Sequence, residues 1–221
     1  MKAHRRQLKL ALPRRGRPFK KGGEPRGHRV RPPLAARFPV HVTLKVLGGA
    51  PYLRRGVCFR AIRGAFVAGK VKEGFRLVHF TVQGNHLHLI CEAADRVRLA
   101  RGMQGLAIRI ARRLNRSVGR EGKLFAERYH ARILKTPTEV RNAIVYVLNN
   151  SRRHEKGISS GWIDPMSSAP WFDGWKWQRR EPWMRPSGER PVVAAGTWLL
   201  DVGWRYRGLI RFDEIGRAHR V

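Results

Sequence analysis

The alternation of apolar and polar residues predicts strands in four places along the middle of the chain. VHVTLKV at 40–46 alternates β-branched with polar residues, which is typical of a strand. FRLVHFTV at 75–82 and HLHLICEA at 86–93 flank a Gln-Gly-Asn connector of the kind that tight hairpin turns prefer. KLFAERYHARIL at 123–134 predicts a turn that leads into a fourth strand. These segments would supply one sheet.

Helical spacing of apolar residues predicts two amphipathic helices with much basic surface. In the first helix, within 51–70, the apolar positions are Leu53, Val57, Ala61, Ala65 and Phe66. In the second helix, within 98–116, they are Leu99, Met103, Leu106, Ile110 and Leu114.

A third helix is predicted from three signals at its start. Thr136 is an N-cap residue, Pro137 stands at the first helical position, and Glu139 completes a Thr-x-x-Glu capping box. The element order is then β-α-β-β-α-β-α, which contains the split βαβ pattern of a ferredoxin-like fold. We therefore expect an α+β protein with a ferredoxin-like split βαβ sandwich, in which an antiparallel sheet has its helices packed on one face.

The charge of the chain points to a polyanionic partner. Its 47 Lys and Arg residues against 15 Asp and Glu give a formal net charge of +32 and a pI near 11.8. Such a charge repels itself unless a polyanion screens it, and nucleic acid is the partner we expect. A membrane surface is the rival polyanion, but it would call for an amphipathic basic helix with bulky apolar residues.

Composition divides the chain into three parts. Residues 1–38 are basic and broken by Pro and Gly, which predicts a disordered cationic arm. Their apolar stretch, LKLALP, is too short for a membrane span. Residues 39–156 would form the main folded domain, and 157–221 a basic extension that holds all seven tryptophans. Most of these tryptophans should hold the extension to the domain, while one or two could stack on unpaired bases.

Cysteine usage limits the kinds of site. Cys58 and Cys91 form no CxxC pair, so neither a disulfide framework nor a thiolate metal site is predicted. We expect a cytoplasmic, nucleoid-associated protein, and any metal would rely on His, Asn, Gln or carboxylate ligands.

Two histidines open the second strand of the hairpin. His86 and His88 point to the same face of that strand, while Leu87 and Leu89 point to the other. Two neighbouring imidazoles can bind one ion through their neutral nitrogens. An HxH pair on a strand is by itself a weak signal, because it is more often solvated or hydrogen-bonded.

The third helix offers a nucleophile and a further ligand. Its polar face carries Tyr146 and, one turn later, Asn150. A tyrosine hydroxyl beside an ion with two His ligands and one Asn ligand suits phosphodiester cleavage. The alternative is that Tyr146 covers the sheet edge and Asn150 ends the helix as a C-cap, and the residues alone leave both interpretations open.

Several motifs in combination resemble a known family. GNHLHLI at 84–90 is followed by YVLNN at 146–150, and HVTLKV, RGMQGLAIRIARRLNR, FAERYHARIL and TPTEVRNAIVYVLNNSRRH add to the likeness. Over roughly 39–154 the chain resembles the HUH single-tyrosine transposases, specifically the REP-associated tyrosine transposases. The resemblance implies a ferredoxin-like domain that cuts single-stranded DNA near the foot of a hairpin, through a 5′-phosphotyrosine link that leaves a free 3′-hydroxyl.

The same resemblance assigns roles by motif position. It implies that His86 and His88 are metal ligands, that Tyr146 is the nucleophile, and that Mg²⁺ or Mn²⁺ is the ion. The third ligand of the family falls on Asn150. Many relatives have Asn-Pro after the tyrosine segment, whereas Asn149 is followed here by Asn150 and Ser151, so Asn149 stays open as the ligand. The angle around the helix favours Asn150.

The expected partner is single-stranded or hairpin DNA, with no membrane, and the choice between monomer and homodimer stays open. Arginines would contact phosphates, although some of them belong to solvated helix faces. The residues we expect in this role are Arg54, Arg55, Arg101, Arg109, Arg112, Arg113, Arg116 and Arg153.

Other residues and functions remain as competitors. Tyr52, Tyr129 and Tyr206 are rival nucleophiles, and His79 and His130 are further histidines of ambiguous role. The competing function is a non-catalytic binder of structured single-stranded DNA or RNA. A replication initiator or relaxase shares the chemistry, but the lone tyrosine on the helix argues against it.

Overall fold

The computed structural model describes residues 32–153, 159, 161–176 and 188–216. The chain divides into two units, 1–31 and Pro32–Val221, and the second contains every element described below. Residues 1–31 of the predicted basic arm, 1–38, lie outside the described residues.

Five strands form one antiparallel sheet. They are β1 (Val40–Lys45), β2 (Val71–Lys72), β3 (Phe75–Val82), β4 (His86–Ala93) and β5 (His130–Ile133). Their order is β2-β3-β4-β1-β5, and every neighbouring pair is antiparallel. Strand β4 lies between β1 and β3, which is the split βαβ arrangement of a ferredoxin-like sheet. The predicted fold class is confirmed, with the short β2 added at one edge.

The helices cover both faces of the sheet, whereas the sequence predicted one. The first core lies between the sheet and helices α1 (Gly56–Gly69) and α2 (Arg96–Ser117). The second core lies on the opposite face, under α3 (Pro137–Leu148). The strand alternation explains the difference, because Leu87 and Leu89 of β4 point into the first core while Ile90 points into the second. The sheet is thus buried on both sides.

Helix α1 begins at Gly56, five residues after the start of its predicted segment. Its buried face also differs from the predicted apolar face. The buried positions are Cys58, Ile62, Ala65, Phe66 and Gly69. Val57, which we had placed on the apolar face, is 38% exposed. Helices α2 and α3 follow the sequence more closely, since the predicted apolar stripe of α2 is buried and the capping box of α3 is formed.

The extension after α3 belongs to the second core. Phe172, Trp175 and Trp204 are buried there. A short helix, α4 (Trp198–Asp201), and the 3₁₀ turn Gly203–Arg207 pack on α3. These contacts agree with the expectation that tryptophans hold the extension to the domain. No helix in the described ranges has the length and apolar character that crossing a bilayer requires.

Candidate active site

Strand pairing brings two pairs of residues together on the α3 face of the sheet. In the antiparallel ladder of β1 and β4, Thr43 pairs with His88 and Lys45 pairs with His86. Directly opposed residues point to the same face, so Thr43 lies beside His88. His41, two positions before Thr43, points to that face as well.

The two predicted metal-ligating histidines converge through their Nε2 atoms. Nε2 of His86 lies 3.0 Å from Nε2 of His88, and the ring centroids are 4.7 Å apart. The other nitrogen of His86, Nδ1, lies 2.7 Å from the side-chain oxygen of Asn85. Since that oxygen is an acceptor, a proton on Nδ1 of His86 would be donated to it, which would leave Nε2 with its lone pair.

His88 is held in a similar way by β1. Its Nδ1 lies 3.1 Å from the Thr43 hydroxyl oxygen and 3.3 Å from Nε2 of His41. Both groups can accept the Nδ1 proton, which leaves Nε2 of His88 directed at His86. Thr43 and His41 are not among the site residues predicted from the sequence. The alternation in VHVTLKV puts both residues on one face of β1, but their approach to His88 follows only from the pairing of β1 with β4.

Tyr146 of α3 completes the cluster. Its hydroxyl oxygen lies 3.3 Å from Nε2 of His88, and its ring meets the His88 ring edge to face, with centroids 4.9 Å apart. The other tyrosines lie elsewhere, since Tyr52 and Tyr206 are exposed and Tyr129 packs against the first core. Tyr146 is therefore the tyrosine that the fold brings to the histidine pair.

The two asparagines at the end of α3 have different surroundings. Asn149 is the C-cap residue, and its side-chain nitrogen donates to the backbone carbonyls of Arg211 and Glu214. Asn150 begins the 3₁₀ turn that follows and is only 1% exposed. Neither polar atom of the Asn150 side chain has a hydrogen-bond partner in the described part of the chain. A buried amide costs free energy when it is unpaired, so Asn150 is the asparagine of the two whose amide could bind a ligand.

The spacing of the two imidazole nitrogens would fit two ligands of one divalent cation. Two ligand atoms at about 2.1 Å from an octahedral ion, at right angles to each other, are about 3.0 Å apart, and the two Nε2 atoms have this separation. Among the residues that the structure describes, no three His, Cys, Asp or Glu side chains are placed to share one ion. An ion held by His86 and His88 would need the Asn150 amide, water and substrate oxygens as its other ligands.

The remaining histidines differ in position. His79 is buried in contact with Ser168 and Phe172, away from the predicted ligands. Burial lowers the pKa of His79 to about 3, with the Arg190 charge acting in the same direction and Asp173 opposing it. His130 of β5 is exposed and pairs with Thr43 across the sheet, so it lies on the site's face.

The predicted phosphate-binding arginines are spread over the surface. Five of them lie on α2 and are exposed on the sheet face opposite Tyr146: Arg101, Arg109, Arg112, Arg113 and Arg116. Arg55, which precedes α1, is exposed on the same face. Arg54 is a correction, because its guanidinium donates twice to the buried carboxylate of Asp164 and once to the Val82 carbonyl. This ion pair stabilises the fold, and we do not propose Arg54 as a DNA contact. The side chain of Arg153 lies outside the described residues.

Comparison with known proteins gives distant structural similarity. No family profile matches the chain, and no curated protein matches its sequence. It is similar to a REP-associated tyrosine transposase bound to a REP hairpin, with a TM-score of 0.48, 16% identity, and coverage of 63% of this chain and 80% of that chain. A candidate transposase from Deinococcus radiodurans R1 gives a TM-score of 0.38 and 15% identity over 53% of this chain and 92% of that chain. At this similarity neither neighbour decides an activity, so the functional proposal rests on the side chains.

Proposed function

We propose that this protein is a metal-dependent enzyme that cuts and rejoins single-stranded DNA at or near a hairpin, through a 5′-phosphotyrosine link to Tyr146. The observation that carries the proposal is the convergence of the Tyr146 hydroxyl and the Nε2 atoms of His86 and His88 on one point. The residues come from β4 and α3, some sixty positions apart, and a binding protein has no use for this combination.

The reaction is a displacement at phosphorus. The Tyr146 oxygen attacks the phosphorus atom and loses its proton, while the bond from phosphorus to the 3′ oxygen breaks and that oxygen takes up a proton. The product is a phosphodiester between Tyr146 and the 5′ end, which conserves the energy of the original bond for rejoining. Attack by a 3′-hydroxyl on this link would reverse the step.

The remaining residues of the site orient these groups. His86 and His88, with Asn150, would hold Mg²⁺ or Mn²⁺, which supplies charge stabilisation at the scissile phosphate when it is bound. Asn85 fixes the ring of His86 through Nδ1, and Thr43 and His41 do the same for His88. Hydrogen-bond partners of this kind set the tautomer and direction of ligating imidazoles.

The charge of the chain supports nucleic acid as the substrate class. A formal net charge of +32 gives strong, sequence-independent attraction to phosphates. Nucleic-acid binding alone would explain the net positive charge. A chemical assay must therefore distinguish the enzyme from the competing function, a non-catalytic DNA or RNA binder.

A covalent-adduct assay makes the separation. The protein is incubated with a single-stranded hairpin that is labelled at its 3′ end, which stays on the fragment joined to Tyr146, and with Mg²⁺ or Mn²⁺. A denaturing gel is then examined for labelled protein. We expect an adduct with the wild type and none with Tyr146→Phe, which removes only the hydroxyl. Good binding without any adduct from the wild type would instead support the non-catalytic binder.

A further inference from the structure

The C-terminal extension carries an exposed aromatic surface that the proposed active site does not use. Trp198 is 58% exposed and Tyr206 is 75% exposed. Val202, halfway between them in the chain, and Leu209 are exposed as well. We call these four residues the Trp198–Tyr206 surface. Large aromatic side chains are normally buried, so two exposed rings side by side need an explanation.

The surface is rigidly built. The ring centroids of Trp198 and Tyr206 are 6.1 Å apart, and the ring planes differ by 34°. The Trp198 ring lies directly over the backbone of Gly203, where a Cβ atom would approach a ring carbon to 2.7 Å. Leu199, Leu200 and Trp204 anchor the segment from below, in the second core. The two exposed rings are therefore positioned without a ligand.

The net positive charge of the chain favours an anionic partner for this surface. Arg207 is exposed directly after Tyr206. The guanidinium of Arg205 is fixed 4.9 Å above the Trp204 ring, but its charge is offset by the ion pair with Asp173, and Asp201 of α4 is exposed. Arg207 and the net charge of +32 on the whole chain therefore supply the attraction to phosphates. Proteins that bind single strands without sequence preference combine aromatic rings, on which bases stack, with cations that follow the backbone.

We propose that the Trp198–Tyr206 surface is a stacking platform for unpaired bases of single-stranded nucleic acid. The extension is joined firmly to the tyrosine helix, since Arg141 of α3 donates to the Gly208 and Leu209 carbonyls and pairs with Glu214. Bases bound on the surface are thus held on the same rigid body as Tyr146. The platform requires a nucleic-acid ligand but does not depend on strand cleavage.

Equilibrium binding without a divalent ion tests the platform separately from catalysis. Every protein carries Tyr146→Phe, and the ligands are a short labelled single strand of mixed sequence and the matching duplex. Removal of a stacking ring should weaken single-strand binding by about 5- to 100-fold in Trp198→Ala and in Tyr206→Ala. Duplex affinity and the dependence of binding on salt should stay unchanged, because no cation that meets a phosphate is removed.

Two sets of variants complete the test. Trp198→Phe and Tyr206→Phe keep a π face and should restore most of the affinity. Ile108→Ala is the matched control, because it removes an exposed apolar side chain from α2 on the other face of the sheet. Tyr206→Ala decides the matter even if Trp198→Ala fails to fold, since the Tyr206 side chain is largely in solvent.

Wild-type single-strand affinity in Tyr206→Ala would overturn the proposal. The proposal would also be overturned if the parent protein sedimented as a dimer and Tyr206→Ala as a monomer, because the surface would then be an interface between two copies of the chain.

Discussion

The hydroxyl oxygen of Tyr146 lies 3.3 Å from Nε2 of His88, although 58 positions separate the two residues in the chain. The approach arises because α3 packs its apolar side on the second core, above Ile90 of β4. Tyr146 is placed at the sheet surface where the histidines of β4 emerge. The orientation of His88 toward this hydroxyl depends in turn on β1.

We predict that Thr43→Val weakens the site without unfolding the protein. Valine keeps the shape of threonine but removes the oxygen 3.1 Å from Nδ1 of His88. The imidazole is then without its better acceptor, which should reduce metal affinity or cleavage by about 10- to 100-fold. Manganese binding and adduct yield are the measurements. Thr43→Ser restores the hydroxyl and should recover activity, whereas an equal reduction in both variants would assign Thr43 a packing role.

The two asparagines after α3 should respond in opposite ways. Asn150→Ala is expected to lower Mn²⁺ affinity tenfold or more, or about 1.4 kcal/mol, because a ligand group is removed. Asn149→Ala removes two hydrogen bonds to backbone carbonyls and should cost about 1–2 kcal/mol of unfolding free energy, with little change in metal binding. Titration calorimetry and denaturant unfolding measure the two effects. A reversed pattern would make Asn149 the ligand.

His79 should make stability depend on pH. Its folded-state pKa, about 3, lies below the ordinary value of 6.5 because the ring is buried. Between these values the unfolded chain binds a proton that the folded protein does not, so acidification destabilises the fold. The unfolding free energy should fall by up to about 1.4 kcal/mol for each pH unit below about 6.5. Replacement by glutamine, His79→Gln, should flatten the wild-type curve in this range, and parallel curves would contradict the assignment.

The exposed arginines of α2 should affect binding and not chemistry. Changing Arg109, Arg112 and Arg116 together to glutamine removes three cations from the sheet face opposite Tyr146. For each of these cations that meets a phosphate in the complex, the slope of log affinity against log salt should become shallower by about 0.7–0.9. Adduct formation at saturating DNA should be retained. Arg211→Gln is the control, because Arg211 is already paired with Asp213, and an equal change there would point to net charge alone.

Much of the fold follows from local patterns. Strands β3 and β4 have the predicted bounds, since their alternation and the Gln-Gly-Asn turn are local signals. The buried stripe of α2 and the capping box of α3 are also local. The candidate site residues His86, His88 and Tyr146 could be named from one strand and one helix because each lies on a face that the periodicity defines.

The rest depends on tertiary pairing that the chain does not reveal locally. Thr43 and His41 reach His88 only because β1 and β4 are neighbours in the sheet. Arg54 seemed available to DNA, but its partner Asp164 lies 110 positions away. The face chosen by α3 is likewise a property of the assembled sheet. Long-range pairing of this kind explains why the predicted site was incomplete and one arginine was misassigned.

The most direct test of the central claim is to locate the covalent link by mass spectrometry. The protein is reacted with a single-stranded hairpin and Mn²⁺, digested with nuclease and trypsin, and searched for peptides that carry a nucleotide. Trypsin should cut after Arg141 and Arg152 and release residues 142–152, which contain Tyr146. We predict a 5′-linked nucleotide on Tyr146 in this peptide. A nucleotide on Tyr52, Tyr129 or Tyr206, or no modified peptide although the DNA is bound, would contradict the account.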